Sequence, residues 1–131
     1  MFKIQIKAAA EYPNIKLLGI VPDEDLPRLL RRSLCLLFLS LYEGFGIPAL
    51  EAMAAGVPAV VSHCASLPEV VGDAGLVVDP ANVGAIVEIL ESLLNDSKLR
   101  QSYIDKGHQH ARQYTWYNCA NKVIDAFQTF A

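Results

Sequence analysis

"SLCLLFLSLYEGFGIPALEAMAAGVPAVVS", Ser33 to Ser62, decides the fold. Leu34–Leu39 is the right length for a strand buried on both faces and far short of the ~20 residues of a membrane span. "EGFG", Glu43 to Gly46, is the loop that follows. Pro48 suits the first position of a helix, where no amide donor is needed. Gly56 suits the position just past a helix end, where a left-handed backbone is common. "PAVVS", Pro58 to Ser62, then reads as a second strand. Strand, helix and strand in this order make a parallel crossover unit.

The alternation extends in both directions. Upstream, "IKLLGIV" (Ile15 to Val21) predicts a buried strand closed by Pro22. "DEDLPRLLRRS" predicts a helix with acids at its start and arginines at its end, as the helix dipole favours, and with Pro27 in its first turn. Downstream, "LPEVV" predicts one short helical turn and "GLVVD" (Gly75 to Asp79) another strand, with Asp79 before Pro80 marking a turn. Val83, Ile86, Val87, Leu90 and Leu94 recur at helical spacing. Two further helices are expected near Ser97–Gln113 and Trp116–Phe127. Thr115 is the expected N-cap of the last one. Its face carries Trp116, Cys119, Ala120, Val123 and Phe127, with Trp116 read as a core residue. The fold class expected is α/β, a Rossmann-like parallel sheet with flanking helices.

Composition narrows the functional classes. The 131 residues are 53% hydrophobic and 19% charged, with a formal charge of −3. This describes one globular domain, and the absence of a basic stripe gives no reason to expect a nucleic-acid partner. Arg28, Arg31 and Arg32 read as the solvated face of a helix. No segment reads as membrane-spanning, and "MFKIQIK" at the N-terminus lacks the apolar stretch of a signal peptide. Cys35, Cys64 and Cys119 are widely spaced without a C-x-x-C pair, as expected of reduced thiols in a cytoplasmic protein. His63, His108 and His110 stand singly, with no paired nucleophile. No His/Cys/Asp cluster has metal-ligand spacing, so no metal is expected.

The loop at Glu43 carries the chemistry. In sheets of this type ligands bind beyond the carboxyl ends of the strands. Gly44 and Gly46 let backbone approach a ligand closely, and the start of the following helix favours an anion such as phosphate. Glu43 lies on the loop and Glu51 about one turn into the helix. An ionised carboxylate only accepts hydrogen bonds, so it suits hydroxyl donors. A ligand offering phosphate to the helix end and hydroxyls to both acids is a sugar phosphate or nucleotide sugar. The spacing alone also fits a plain helix start with dipole-complementary acids and an ordinary turn.

Glu43 and Glu51, with seven residues between them inside "EGFGIPALEAMAAGVPAV", resemble the E-x7-E motif of retaining GT-B glycosyltransferases of the "group 1" type. "NIKLLGIVPDEDLPRLL", "SLPEVVGDAGLVVDP", "LLNDSKLRQ" and "YTW" resemble the C-terminal, donor-binding domain of that family in the same order. The resemblance covers nearly the whole chain from about Asn14. It implies a nucleotide-sugar donor as substrate, no cofactor, and transfer of a hexose to an acceptor with retention of configuration, generally without a metal. It assigns Glu43 to sugar hydroxyls in the reacting region and Glu51 to the ribose hydroxyls. It places the backbone of Phe45, Gly46 and Ile47 against the diphosphate and sugar. Val21 matches a position whose backbone meets the base, and equally fits an ordinary strand end.

The departures from the family set further expectations. The chain reads as a single domain, 1–131, truncated at its N-terminus and lacking the acceptor-binding domain. No Arg or Lys matches the family's basic pair that grips the diphosphate. Such cations stabilise the leaving group, so the fragment alone is expected to be inactive. In the family's sheet order, two strands separate Ile15–Val21 from Leu34–Leu39. Either those two segments pair directly or an open seam remains. Alternative readings are a non-catalytic nucleotide-sugar-binding module and the remnant of a broken gene.

Overall fold

Four consecutive buried residues, Ala59–Ser62, form the central strand of the sheet. A strand covered on both faces reads as a continuous apolar run, and Ala59–Val61 does, ending in the buried Ser62. The computed structural model describes residues 12–129. The central strand, β2, pairs in parallel with β1 (Leu36–Phe38) and β3 (Leu76–Val78), in the order β1-β2-β3. Leu37 faces Val60, and Val61 faces Val77. Parallel neighbours need crossovers, which helices supply. Helix α1 (Leu26–Arg31) precedes β1, and α2 (Ile47–Ala54) joins β1 to β2. Helix α3 (Leu67–Val71), with a 3-10 turn at Gly72–Ala74, joins β2 to β3. Then follow α4 (Val83–Asn95), α5 (Ser97–Ala111) and α6 (Trp116–Thr129).

Both faces of this Rossmann-like sheet are covered. On one, Phe38, Ala59 and Val61 pack with Ala49 and Met53 of α2 and with Leu67 and Val71 of α3. On the other, Val60, Leu76 and Val78 pack with Ile86, Ile89, Leu90 and Leu93 of α4. Leu30 of α1 closes over Ala52 and Val57.

Local chemistry sets the element boundaries. Gly56 takes φ 78° and stops α2, as its position predicts. Asp96 caps α5, accepting from the amides of Lys98 and Leu99 at 2.9 Å each. Thr115 caps α6, its hydroxyl accepting from the Asn118 amide at 3.1 Å. Asp79 makes the expected turn, its carboxylate accepting from the Ala81 amide at 2.9 Å. Helix α2 starts one residue earlier than expected, at Ile47, with Gly46 at the N-cap.

Three expectations are corrected. Ile15–Val21 is not a strand, and among the described residues no strand lies on the free side of β1. The segment instead bends at Gly19, where φ is 68°, and leaves Ile20 99% exposed. An apolar run becomes a strand only where a neighbour pairs its backbone, and this run has none among the described residues. It therefore does not pair with β1, whose outer side has no strand partner among the described residues. On α4 the period is right, and Ile86 and Leu90 pack on the sheet, but the other three named residues do not. Val83, Val87 and Leu94 are exposed, and the buried line runs through Ile86 and Leu93. Trp116 is not a core residue, being 90% exposed on a helix with no buried residue. The reading of "MFKIQIK" lies outside the described residues.

All three cysteines carry free thiols. Burial pushes the Cys35 thiol above its usual pKa, while Cys119 is exposed on α6. Thiolate is the reactive form, so iodoacetamide at pH 8 should modify Cys119 first and Cys35 last, with Cys35 catching up in urea. Peptide mass mapping over time checks the order. Equal rates in the native protein would contradict this packing of Cys35.

Candidate functional site

Two loops meet at the carboxyl end of the sheet, and serines join them. Ser62, the last residue of β2, donates its hydroxyl to the Ser40 carbonyl at 2.5 Å and accepts from the Cys64 amide at 3.3 Å. This ties the start of the first loop to the second. Ser66, at the N-cap of α3, donates to the carbonyls of Glu43 (3.0 Å) and Phe45 (2.8 Å). The loop that sequence spacing singles out is therefore held across to the next crossover.

Gly46 ends this loop with φ 108°. A Cβ there would stand 2.6 Å from Cδ2 of Leu67, closer than real Cβ contacts come. Only glycine satisfies both the backbone angle and the close approach. No side chain caps the start of α2. Its first turn keeps the partial positive charge of a helix N-terminus beside the loop.

Around this junction the expected residues divide. Phe45, Ile47 and Glu51 come together on a groove of about 670 Å³ between α2 and the start of α6, bordered also by Leu50, Tyr114 and Trp116. Glu51 is exposed and also borders a second groove of about 290 Å³, beside Asp23, Leu30 and Arg31. Glu43 is half-buried in the loop and Gly46 is buried; neither lines the larger groove. Val21 is half-buried ahead of α1 and borders neither groove.

The far wall rests on α5 and the residues after it. His110 Nε2 lies 2.8 Å from the Val70 carbonyl, and the Tyr114 hydroxyl donates to the same oxygen at 3.3 Å. A carbonyl only accepts, so the His110 proton sits on Nε2. Tyr114 in turn meets the Phe45 ring edge-on, with centroids 6.0 Å apart. Reading the sequence missed Ser62, Ser66, His110 and Tyr114 as parts of the site. The one local signal was a serine directly before "LPEVV", a position where serine ordinarily caps its own helix. Among the described residues no three His, Cys, Asp or Glu side chains gather as a metal-ligand set. No helix of the described residues is long and apolar enough to cross a membrane.

Residues 2–110 match the family model described as "Glycosyl transferases group 1". The chain belongs to this family. Among curated relatives, "O-antigen chain mannosyltransferase B" of Escherichia coli is 51% identical over 115 residues, covering 87% of this chain and 30% of that protein. "MMP alpha-(1->4)-mannosyltransferase" of Mycolicibacterium hassiacum is 36% identical over 110 residues, covering 81% of this chain and 27% of that protein. This group 1 glycosyltransferase chain thus spans less than a third of the length of either relative. Among solved structures, one described as the trehalose-6-phosphate phosphatase N-terminal domain of Candida albicans superposes with a TM-score of 0.80. It covers 98% of this chain and 30% of that chain at 20% identity, a likeness of fold alone.

Proposed function

We propose that residues 1–131 are the donor-binding part of a retaining hexosyltransferase, with a nucleoside-diphosphate mannose as donor. The observation that carries this is the Glu43–Gly46 loop, pinned by Ser66 against an uncapped helix start, with Glu51 one turn further on. Family membership supports glycosyl transfer, and the names of the relatives support mannose as the sugar.

In this reading the donor diphosphate lies against the backbone of Phe45, Gly46 and Ile47. The positive end of α2 faces the negative charge that grows on the diphosphate as its bond to the anomeric carbon breaks. The Glu43 carboxylate accepts from sugar hydroxyls near that carbon, and Glu51 accepts from the ribose hydroxyls. Val21 offers backbone to the base. No metal or cofactor has a role here. The acceptor is held by a further N-terminal domain of the intact transferase, so this chain alone binds donor without turning it over.

Calorimetric titration with GDP-mannose, UDP-glucose, UDP-N-acetylglucosamine and ADP-glucose tests the reading. GDP-mannose is expected to bind most tightly, and no release of GDP or transfer of mannose is expected from the chain alone. Binding of none of the four sugars would overturn the donor assignment, and robust turnover would overturn the division of labour.

Glu51→Ala removes a charged acceptor from two hydroxyls. It should weaken GDP-mannose by ~1.5–3 kcal/mol, the range for hydrogen bonds to charged groups. Glu51 is exposed, so the melting temperature should hardly move. Unchanged affinity in the same calorimeter would remove the ribose role.

A further inference from the structure

Ser66 stands at the N-cap of α3, where a serine oxygen ordinarily accepts from an amide of its own first turn. It makes no such bond. Its single hydroxyl proton is instead shared between two carbonyls 21 and 23 residues away, those of Phe45 and Glu43. The capping contribution is given up for a contact with the other loop.

The consequence follows from peptide geometry. In a planar trans peptide the C=O of one residue and the N–H of the next point in opposite directions. Glu43 C=O is paired in this way with Gly44 N–H, and Phe45 C=O with Gly46 N–H. With both carbonyls turned towards Ser66, both glycine amides are turned away from it. Neither amide has a hydrogen-bond partner among the described residues. Free N–H groups beside a helix start suit an anion. Leu67, next in sequence, packs closely on Gly46, its Cδ2 standing 2.6 Å from where a Cβ on that residue would be.

We propose that Ser66 is a positioning residue for the donor diphosphate. By holding the carbonyls of Glu43 and Phe45 it presents the amides of Gly44 and Gly46 to the phosphate oxygens. The proposal rests on the donor-binding reading above. It assigns to Ser66 an effect on ligands that carry a diphosphate, and none on the nucleoside part.

The test is calorimetry of the wild-type chain, Ser66→Ala and Ser66→Thr with GMP, GDP and GDP-mannose, alongside thermal melts. Ser66→Ala should weaken GDP and GDP-mannose about tenfold, the lower end for losing a charge-assisted hydrogen bond. GMP should bind both proteins alike, and Ser66→Thr, which keeps the hydroxyl, should recover most of the loss. An equal loss for GMP, or no loss for GDP, would reduce Ser66 to a structural contact and overturn the proposal while leaving the donor reading intact. A wild-type chain that binds neither GDP nor GDP-mannose would overturn the donor reading and this inference together.

Discussion

Gly46→Ala is expected to destabilise the chain by about 2–5 kcal/mol and to remove donor binding. Two costs add. A side chain at φ 108° occupies a backbone region that L-residues avoid, at roughly 1–2 kcal/mol. The new methyl also meets Leu67 Cδ2 at 2.6 Å, and forcing an atom into a packed core costs typically about 1–3 kcal/mol. Leu67 is 0% exposed, so it has no free space to retreat into. Relief by rotating the loop would break the Ser66 contacts and turn the amides away from the ligand. Gly44→Ala is the control. Its backbone is outside the left-handed region and nothing lies within 4 Å of an added Cβ, so its stability should stay within about 0.5 kcal/mol of wild type. Urea unfolding of both variants decides it, and a Gly46→Ala as mild as Gly44→Ala would contradict this loop conformation.

Leu67→Ala is expected to cost about 2–5 kcal/mol, the range for emptying a buried leucine site. Leu67 packs in the cluster of Ala49, Met53, Val61 and Val71, between α2, α3 and the sheet. It is also the atom group that Gly46 touches, which makes the two sites non-additive. Removing the Leu67 branch makes room for a methyl at position 46. The double variant Gly46→Ala/Leu67→Ala should therefore lose less than the sum of its parts, by about 0.5–3 kcal/mol, as contacting residues do. The backbone cost at φ 108° remains in the double variant, so the recovery should be partial. Strict additivity in chemical denaturation would show that residues 46 and 67 do not touch.

What was legible in the sequence was what local chemistry decides. Pro48 and Gly56 bound α2 to within a residue because each changes the backbone by itself. Thr115 caps its helix because an N-cap needs only the next turn. The unbroken apolar run before Ser62 marked the strand covered on both faces. The loop at Glu43 was legible as a candidate because glycines, a proline and two acids fall within nine residues.

What stayed hidden depends on distant partners. Ile15–Val21 has the composition of a strand, but its pairing depends on neighbours that composition does not reveal. The apolar residues of α4 allow two phases one residue apart, and packing on Val60 and Val78 selects Ile86 and Leu93 over Val87 and Leu94. Trp116 looks like core because of its size, yet its helix buries none of its residues. The serine staples and the His110–Tyr114 support join residues more than twenty positions apart, beyond any local pattern.

The central claim, that the Glu43–Glu51 segment receives a nucleotide sugar, is tested most directly by mapping amide NMR shifts of the labelled chain during GDP-mannose titration. The predicted result is saturable shifts concentrated at Gly44, Phe45, Gly46, Ile47 and Glu51, with the α4–α5 surface around Glu91 and Asp96 unmoved. Shifts centred elsewhere, or none at saturating ligand, would contradict it.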